Sequence, residues 1–138
     1  MKKDFYGDLS AYRISRSKET FEEALIMQRE EHWNACMNRL YYAAFYAVSA
    51  LLIRHDMSSG KHTGVKSLFN QHFVKTGKIS KDDGRLYNFL FESRQEGDYM
   101  DFAVFDRNTV EPKIGQVRNF LSGIYDLVWD EQATLFES

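Results

Sequence analysis

The chain has 138 residues, 28% of them charged, and a formal net charge of −2 at pH 7. This length fits one domain of roughly 100 to 200 residues, so we expect a single domain over residues 1–138. The near-neutral charge argues against a strongly basic, non-specific nucleic-acid binder. A single cysteine, Cys36, excludes an internal disulfide and a cysteine-rich zinc site. No apolar leader opens the sequence, which predicts a cytoplasmic protein.

Apolar residues at helical spacing dominate the first part of the chain. A first helix is predicted from Leu9 to Arg29, with Asp8 as its N-cap. The second, from His32 to His55, contains the most apolar stretch, residues 40–53. Those fourteen residues are too few for a bilayer core, which needs about 20. A helix that is apolar on nearly all sides is buried, so we predict the central helix of a bundle and no membrane span.

Two further helices follow a break at Met57–Gly60. The third is predicted from Thr63 to Lys75, and Gly77 is expected to end it in a left-handed conformation. Ser80 is suited to cap the fourth helix, which we predict to run to about Asp98.

The last helix is predicted after a loop over residues 99–106. Asn108 or Thr109 is its expected N-cap, and Pro112 is expected in the first turn, where a missing N–H is harmless. The segment 133–138 is expected to fray. Five helices joined by short loops, with no competing strand pattern, predict an all-α, up-and-down antiparallel bundle.

One segment of the chain is distinctly basic. Residues 54–81 contain six lysines and arginines, three histidines and a single acid, Asp56. The segment is suited to face a phosphate, and a solvated helix face is the alternative. The histidines do not fall at metal-binding spacing with a carboxylate, so neither a metal site nor a cofactor is predicted.

Three segments of the chain, taken in order, form a pattern of motifs. Arg-Leu-Tyr-Tyr-Ala-Ala-Phe at 39–45, followed by Ala-Leu-Leu at 50–52, resembles the second-helix signature of the HEPN family of helical domains. Lys-His-Thr-Gly-Val at 61–65, with Phe-Val-Lys-Thr-Gly at 73–77, is similar to the basic stretch that follows. Phe-Glu-Ser-Arg-Gln-Glu-Gly-Asp-Tyr at 91–99 resembles the end of the fourth helix. The resemblance covers most of the chain and implies a HEPN-like bundle.

Many nuclease members of this family carry an arginine at the end of the fourth helix and a histidine after four to six intervening residues. The resemblance implies metal-independent cleavage at the RNA 2′-hydroxyl, with the histidine as acid or base and the arginine stabilising phosphate charge. Here Arg94 is present, but Tyr99, Met100 and Asp101 occupy the window. Tyrosine, with a reference pKa of about 10, is a poor proton shuttle at neutral pH. The sequence therefore argues against the family's usual nuclease activity and leaves catalysis open.

The resemblance and the charge pattern together predict the site residues. We expect nucleotide or RNA phosphate to bind at Arg39, Lys61, His62 and Arg94, with Arg94 and Tyr99 as the candidate catalytic pair.

Each of these side chains also has a purely structural alternative. Arg94 could pair with Glu96 or Asp98. His62 could cap a helix, and Arg39 could pair with an acid such as Glu92.

Three hypotheses on function follow. The first is a homodimeric binding module, and the resemblance implies a small nucleotidyltransferase as its partner in a toxin–antitoxin-like pair, with Tyr99 as a nucleotidylation target. The second is a divergent endoribonuclease in which His62 acts with Arg94. The third is a structural partner protein without a ligand.

Overall fold

The computed structural model describes the backbone of residues 2–99 and 104–137, and the side chains of residues 7–94 and 104–130. Within these ranges the chain forms five α-helices and no strand, which confirms the prediction of an all-α bundle. The helices are α1 (Lys2–Arg29), α2 (Trp33–Arg54), α3 (His62–Phe69), α4 (Lys81–Tyr99) and α5 (Arg107–Glu137).

Helix α2 is the centre of the bundle and packs against all four other helices. Ala43, Ala44, Ala47 and Ala50 are fully buried, and their small side chains let the neighbouring backbones approach closely. With 22 residues, α2 is long and apolar enough to cross a membrane, so its length does not exclude a membrane span as we had expected. Its burial favours the core helix of a bundle instead, because 72% of its most apolar window lies inside the protein.

Two helix starts differ from the prediction. Helix α1 begins at Lys2, so Asp8 lies within the helix and does not cap it. Helix α5 begins at Arg107, because the carboxylate of Asp106 accepts a hydrogen bond from the Thr109 N–H at 3.0 Å. Asp106 is thus the N-cap that we had assigned to Asn108 or Thr109. As a consequence, Pro112 lies in the second turn of α5 and not in the first.

The end of α5 also differs from the prediction. The helix continues through residues 133–137, where we had expected the chain to fray. Its preceding turns are anchored by the buried side chains of Ile124 and Val128, which support the helix from the core.

The predicted third helix is only partly an α-helix. It changes after Phe69 to a π-helical turn, Asn70–Val74, in which the Lys75 N–H donates to the Asn70 carbonyl at 2.8 Å. The wider turn keeps Phe73 in the core beside Phe69, with ring centroids 6.3 Å apart. Gly77 follows with φ +83°, which confirms the left-handed end.

The start of α4 confirms the predicted cap and explains a glycine. The Asp83 N–H donates to the Ser80 hydroxyl at 3.1 Å. At Gly84 a Cβ atom would lie 2.8 Å from Cγ1 of Val74, so only glycine permits this close approach of α4 to the π-helical turn. Helix α4 also packs against α2, and Arg94 near its far end lies over the ring of Tyr42.

Candidate functional site

Three aromatic side chains of α2 surround the imidazole of His62, the first residue of α3. The His62 ring stacks on Phe45 with a centroid distance of 4.3 Å and an interplanar angle of 16°. The rings of Tyr41 and Tyr42 each lie 5.7 Å from it. Helical spacing puts residues 41, 42 and 45 within about one turn, so one rigid helix positions the histidine.

A hydrogen bond fixes the orientation of this histidine. The Tyr41 hydroxyl lies 2.7 Å from Nδ1 of His62. Tyr41 is fully buried, and burial raises the pKa of its hydroxyl well above the ordinary value, so it stays protonated. This hydrogen bond joins the imidazole to a fully buried tyrosine, and the ring is therefore held in a fixed orientation.

Two arginines lie over the ring of Tyr42. The guanidinium carbon of Arg39 is 5.3 Å from the ring centroid, and that of Arg94 is 5.9 Å from it. Both distances are within the roughly 6 Å that cation–π contacts require. Arg94 also acts on Tyr41, where its positive charge lowers the pKa of the hydroxyl against the larger effect of burial. Arg94 and His62 are thus brought together around the Tyr41–Tyr42 pair.

The ion pair that we had suggested for Arg39 is formed with a different acid. Nη1 of Arg39 lies 3.0 Å from Oε1 of Glu23 in α1, and Nη2 lies 2.7 Å from Oδ1 of Asn38. The expected ion pair with an acid is therefore present, with Glu23 in the place of the suggested Glu92. The packing of α1 along α2 places Glu23 beside the arginine, which the sequence alone does not reveal.

Lysines border the site on the α3 side. Nζ of Lys66 lies 4.5 Å from the centroid of Phe91, whose ring is 6.3 Å from that of Tyr41. Lys61 precedes His62 in an extended conformation and is exposed, and its N–H donates to the Ser59 hydroxyl at 3.2 Å. The basic stretch predicted to face a phosphate therefore borders the aromatic cluster.

The structure brings three of the predicted site residues, Arg39, His62 and Arg94, to one aromatic cluster. The side chain of Tyr99 lies outside the described residues, as do the acids predicted to pair with Arg94. Sequence reasoning missed four residues as site residues, although three of them stand inside the segment that carries the family resemblance. They are Tyr41, Tyr42, Phe45 and Lys66.

Neither a metal site nor the large groove competes with this cluster in the described part of the chain. No group of three or more histidine, cysteine or carboxylate side chains there could hold a metal ion. A groove of about 570 Å³ lies between α4 and α5, and it carries acids and bases together, Asp82 and Asp83 with Arg85 and Lys113. The aromatic cluster is where arginines, lysines and a histidine meet.

The chain forms an antiparallel helical bundle in which the aromatic residues of the second helix bring a histidine of the third and an arginine of the fourth together. This arrangement fits the class of helical domain that the sequence resembles. The comparison with protein families agrees. A family model described as HEPN domain matches residues 10–126, and the chain therefore belongs to the HEPN family.

The chain is also similar to individual proteins. It is 41% identical over 119 residues to a UPF0332 protein of Thermotoga maritima, covering 86% of this chain and 90% of that protein. Two Methanocaldococcus jannaschii proteins named "Putative toxin" are each 29% identical to it. One match covers 72% of this chain and 73% of the relative, and the other 62% and 58%. The chain is thus a HEPN protein that is similar to proteins named as toxins.

Proposed function

We propose that this toxin-like HEPN protein binds the phosphate of a nucleotide or of RNA at the cluster of Arg39, Lys61, His62 and Arg94. One observation carries the proposal: two arginines and a histidine from three different helices all contact the ring of Tyr42. Core packing does not require three basic side chains around one half-buried ring. A bound phosphate would account for these basic side chains, because guanidinium groups match its oxygens in geometry and charge.

The electrostatics of the cluster support an anionic ligand. Glu23 is the acid that pairs with Arg39, and its side chain is 44% exposed, so solvent screens this ion pair. His62 beside Tyr42, and Lys61 and Lys66 at the border of the cluster, add further donors. Tyr42 itself is half-buried and can stack on a base, the usual way in which proteins hold single-stranded nucleic acid.

Fluorescence anisotropy with labelled single-stranded RNA tests phosphate binding. We expect Arg94→Gln to weaken binding about tenfold or more at low salt, since a charge-assisted hydrogen bond contributes roughly 1.5–3 kcal/mol. Arg118→Gln is the matched control, because Arg118 lies over Phe21 in the groove between α1 and α5. Equal affinity of wild type and Arg94→Gln for RNA and for nucleotides would contradict the proposal.

We further propose that the protein forms a homodimer and is the partner of a small nucleotidyltransferase in a toxin–antitoxin-like pair, in the cytoplasm. The similarity to proteins named as toxins supports this context. The transferase would link the phenol oxygen of Tyr99 to the α-phosphate of a nucleoside triphosphate and release pyrophosphate. Mass spectrometry after co-expression with a transferase encoded beside the gene tests the modification, with Tyr99→Phe as control. Light scattering tests the dimer, at twice the chain mass of 16.2 kDa.

A divergent endoribonuclease is the second candidate, and the hydrogen bond between Tyr41 and His62 favours it. It fixes the His62 imidazole, which would move the proton, near Arg94, which would stabilise phosphate charge. The His62 imidazole would take the proton of the RNA 2′-hydroxyl as its oxygen bonds to phosphorus. It would return that proton to the 5′-oxygen as the P–O5′ bond breaks, giving a 2′,3′-cyclic phosphate and a 5′-hydroxyl. Cleavage of structured RNA that is lost in both His62→Gln and Arg94→Gln would establish it. Cleavage that survives both substitutions would reject this pair.

A further inference from the structure

A small half-enclosed cavity of about 70 Å³ lies between α1, α2 and the turn before α3. A cavity needs only about 10–15 Å³ on this measure to hold one water, so there is room for several waters or for one tetrahedral oxyanion. Its polar lining consists of one guanidinium and three hydroxyls, and its walls are apolar. The polar residues are Arg13, Ser49, Ser58 and Ser59.

Arg13 has no protein partner for its charge within the described residues. Its Nε is buried without a hydrogen bond, and its only contact of charge type is with the ring of Tyr46, 6.0 Å from the guanidinium carbon. One turn further along α1, Arg16 pairs with Glu19 at 3.4 Å and contacts the same ring at 5.3 Å. A buried donor without an acceptor is costly, and the cavity beside Arg13 is where an acceptor would fit.

The cavity shares one wall with the aromatic cluster. Phe45 lines it and also stacks on His62 at 4.3 Å. Tyr46, which contacts Arg13, lies 6.2 Å from Tyr42, the ring beneath the two arginines of the first site. Two basic positions are therefore joined by a row of half-buried aromatic rings along one edge of α2. Alternating cations and aromatic rings are what single-stranded nucleic acid binds, through its phosphates and bases respectively.

We propose that the Arg13 cavity holds a second phosphate of the same RNA strand whose first phosphate binds at His62 and Arg94. The ligand is then a single-stranded RNA segment rather than a mononucleotide. This inference rests on the proposed function, because it extends that site by one phosphate position. The serine hydroxyls donate to the remaining phosphate oxygens, and the guanidinium provides the charge.

Binding of a short oligouridine and of uridine monophosphate, measured over a range of salt concentrations, tests the inference. We expect Arg13→Gln to weaken oligouridine binding about tenfold at low salt and to reduce the salt slope by about 0.7, the contribution of one phosphate on a single strand. Affinity for the monophosphate should not change. Arg13→Lys keeps the charge and should retain the slope while losing part of the affinity. Arg118→Gln is the control for loss of one positive charge elsewhere.

The outcomes separate the two proposals. One outcome is that Arg94→Gln loses oligouridine binding while Arg13→Gln keeps the wild-type affinity and salt slope. This outcome overturns the second phosphate position and leaves the proposal for the first site intact. Equal weakening of monophosphate and oligouridine by Arg13→Gln also overturns it, because Arg13 would then belong to the first site. Absence of binding by the wild-type protein overturns both. Circular dichroism spectra equal to wild type establish that each variant is folded.

Discussion

Removal of a single oxygen atom by Tyr41→Phe tests the core of the site. The Tyr41 ring packs against Tyr42, Phe45, His62 and Tyr87, and phenylalanine keeps all of these ring contacts. The hydroxyl alone is lost, and with it the 2.7 Å hydrogen bond to Nδ1 of His62. The substitution therefore isolates the polar interaction that orients the histidine.

The expected loss of stability is the sum of two effects. The hydrogen bond to His62 contributes about 1 kcal/mol. The fully buried Tyr87 hydroxyl interacts with that of Tyr41, although not at full hydrogen-bond geometry, and has no other partner within the described residues. Its isolation costs about 1 kcal/mol more. We expect Tyr41→Phe to lower the free energy of unfolding by about 2 kcal/mol and the melting temperature by roughly 5–10 °C.

Urea denaturation followed by circular dichroism measures this loss. In the double variant Tyr41→Phe/Tyr87→Phe the loss should be smaller than the sum of the single losses by at least about 0.5 kcal/mol, because neither hydroxyl is then left isolated. Tyr125→Phe is the control, because it removes a half-buried hydroxyl that lies 2.7 Å from the Ser17 hydroxyl and is distant in sequence from His62. It should lower the free energy of unfolding by about 1 kcal/mol or less. A urea midpoint of Tyr41→Phe equal to wild type would refute the reasoning.

Three further predictions concern the rest of the fold. Hydrogen bonds from Thr109 lower the pKa of Asp106 below its ordinary 3.8, so the stability that the ionised carboxylate contributes is present above pH 3.8 and is lost as the pH falls through the lowered pKa. Asp106→Ala should therefore lower the melting temperature at pH 7, and a decrease of the same size at pH 3 or below would contradict this. Burial raises the pKa of Cys36 to about 11, so Ellman's reagent at pH 8 should react only as the protein unfolds in urea, and rapid labelling without urea would contradict its burial. Gly84→Ala should lose about 1–3 kcal/mol on urea denaturation through overlap with Val74, whereas Gly115→Ala, with open space around it, should gain up to about 1 kcal/mol; equal effects would reject the steric argument.

The fold could be predicted from the sequence because its signals are local. Apolar spacing located all five helices, and the side-chain cap at Ser80 and the left-handed Gly77 were found where expected. The errors in the predicted helices arose where several residues could serve as the N-cap, or where packing in the core decided the local structure. Asp106, Asn108 and Thr109 are all good N-caps, and only the observed hydrogen bond shows that the aspartate is used. The π-helical turn depends on how Phe73 fits the core, which helical periodicity does not describe.

The site was harder to predict because its contacts cross between helices. Arg39, His62 and Arg94 were selected from charge and from the family resemblance, without knowledge that all three contact Tyr42. The acid beside Arg39 comes from α1, sixteen residues earlier in the chain, and no local pattern marks it. Arg13 gave no signal at all, because an arginine in a helix rich in charged residues is expected on a solvated surface.

The placement of the site on α2 has a physical reason. Adjacent residues of a helix point about 100° apart, so Tyr41 can face the core while Tyr42 faces the helix edge. The buried ring, held by packing on all sides, orients His62, and the half-buried ring beside it contacts the arginines. Such an arrangement keeps the basic groups in fixed positions without ordering a loop when a ligand binds, which reduces the entropic cost of binding. It also explains why the most apolar segment of the chain carries the strongest family resemblance: the residues that form the core of the bundle are the ones that hold the site.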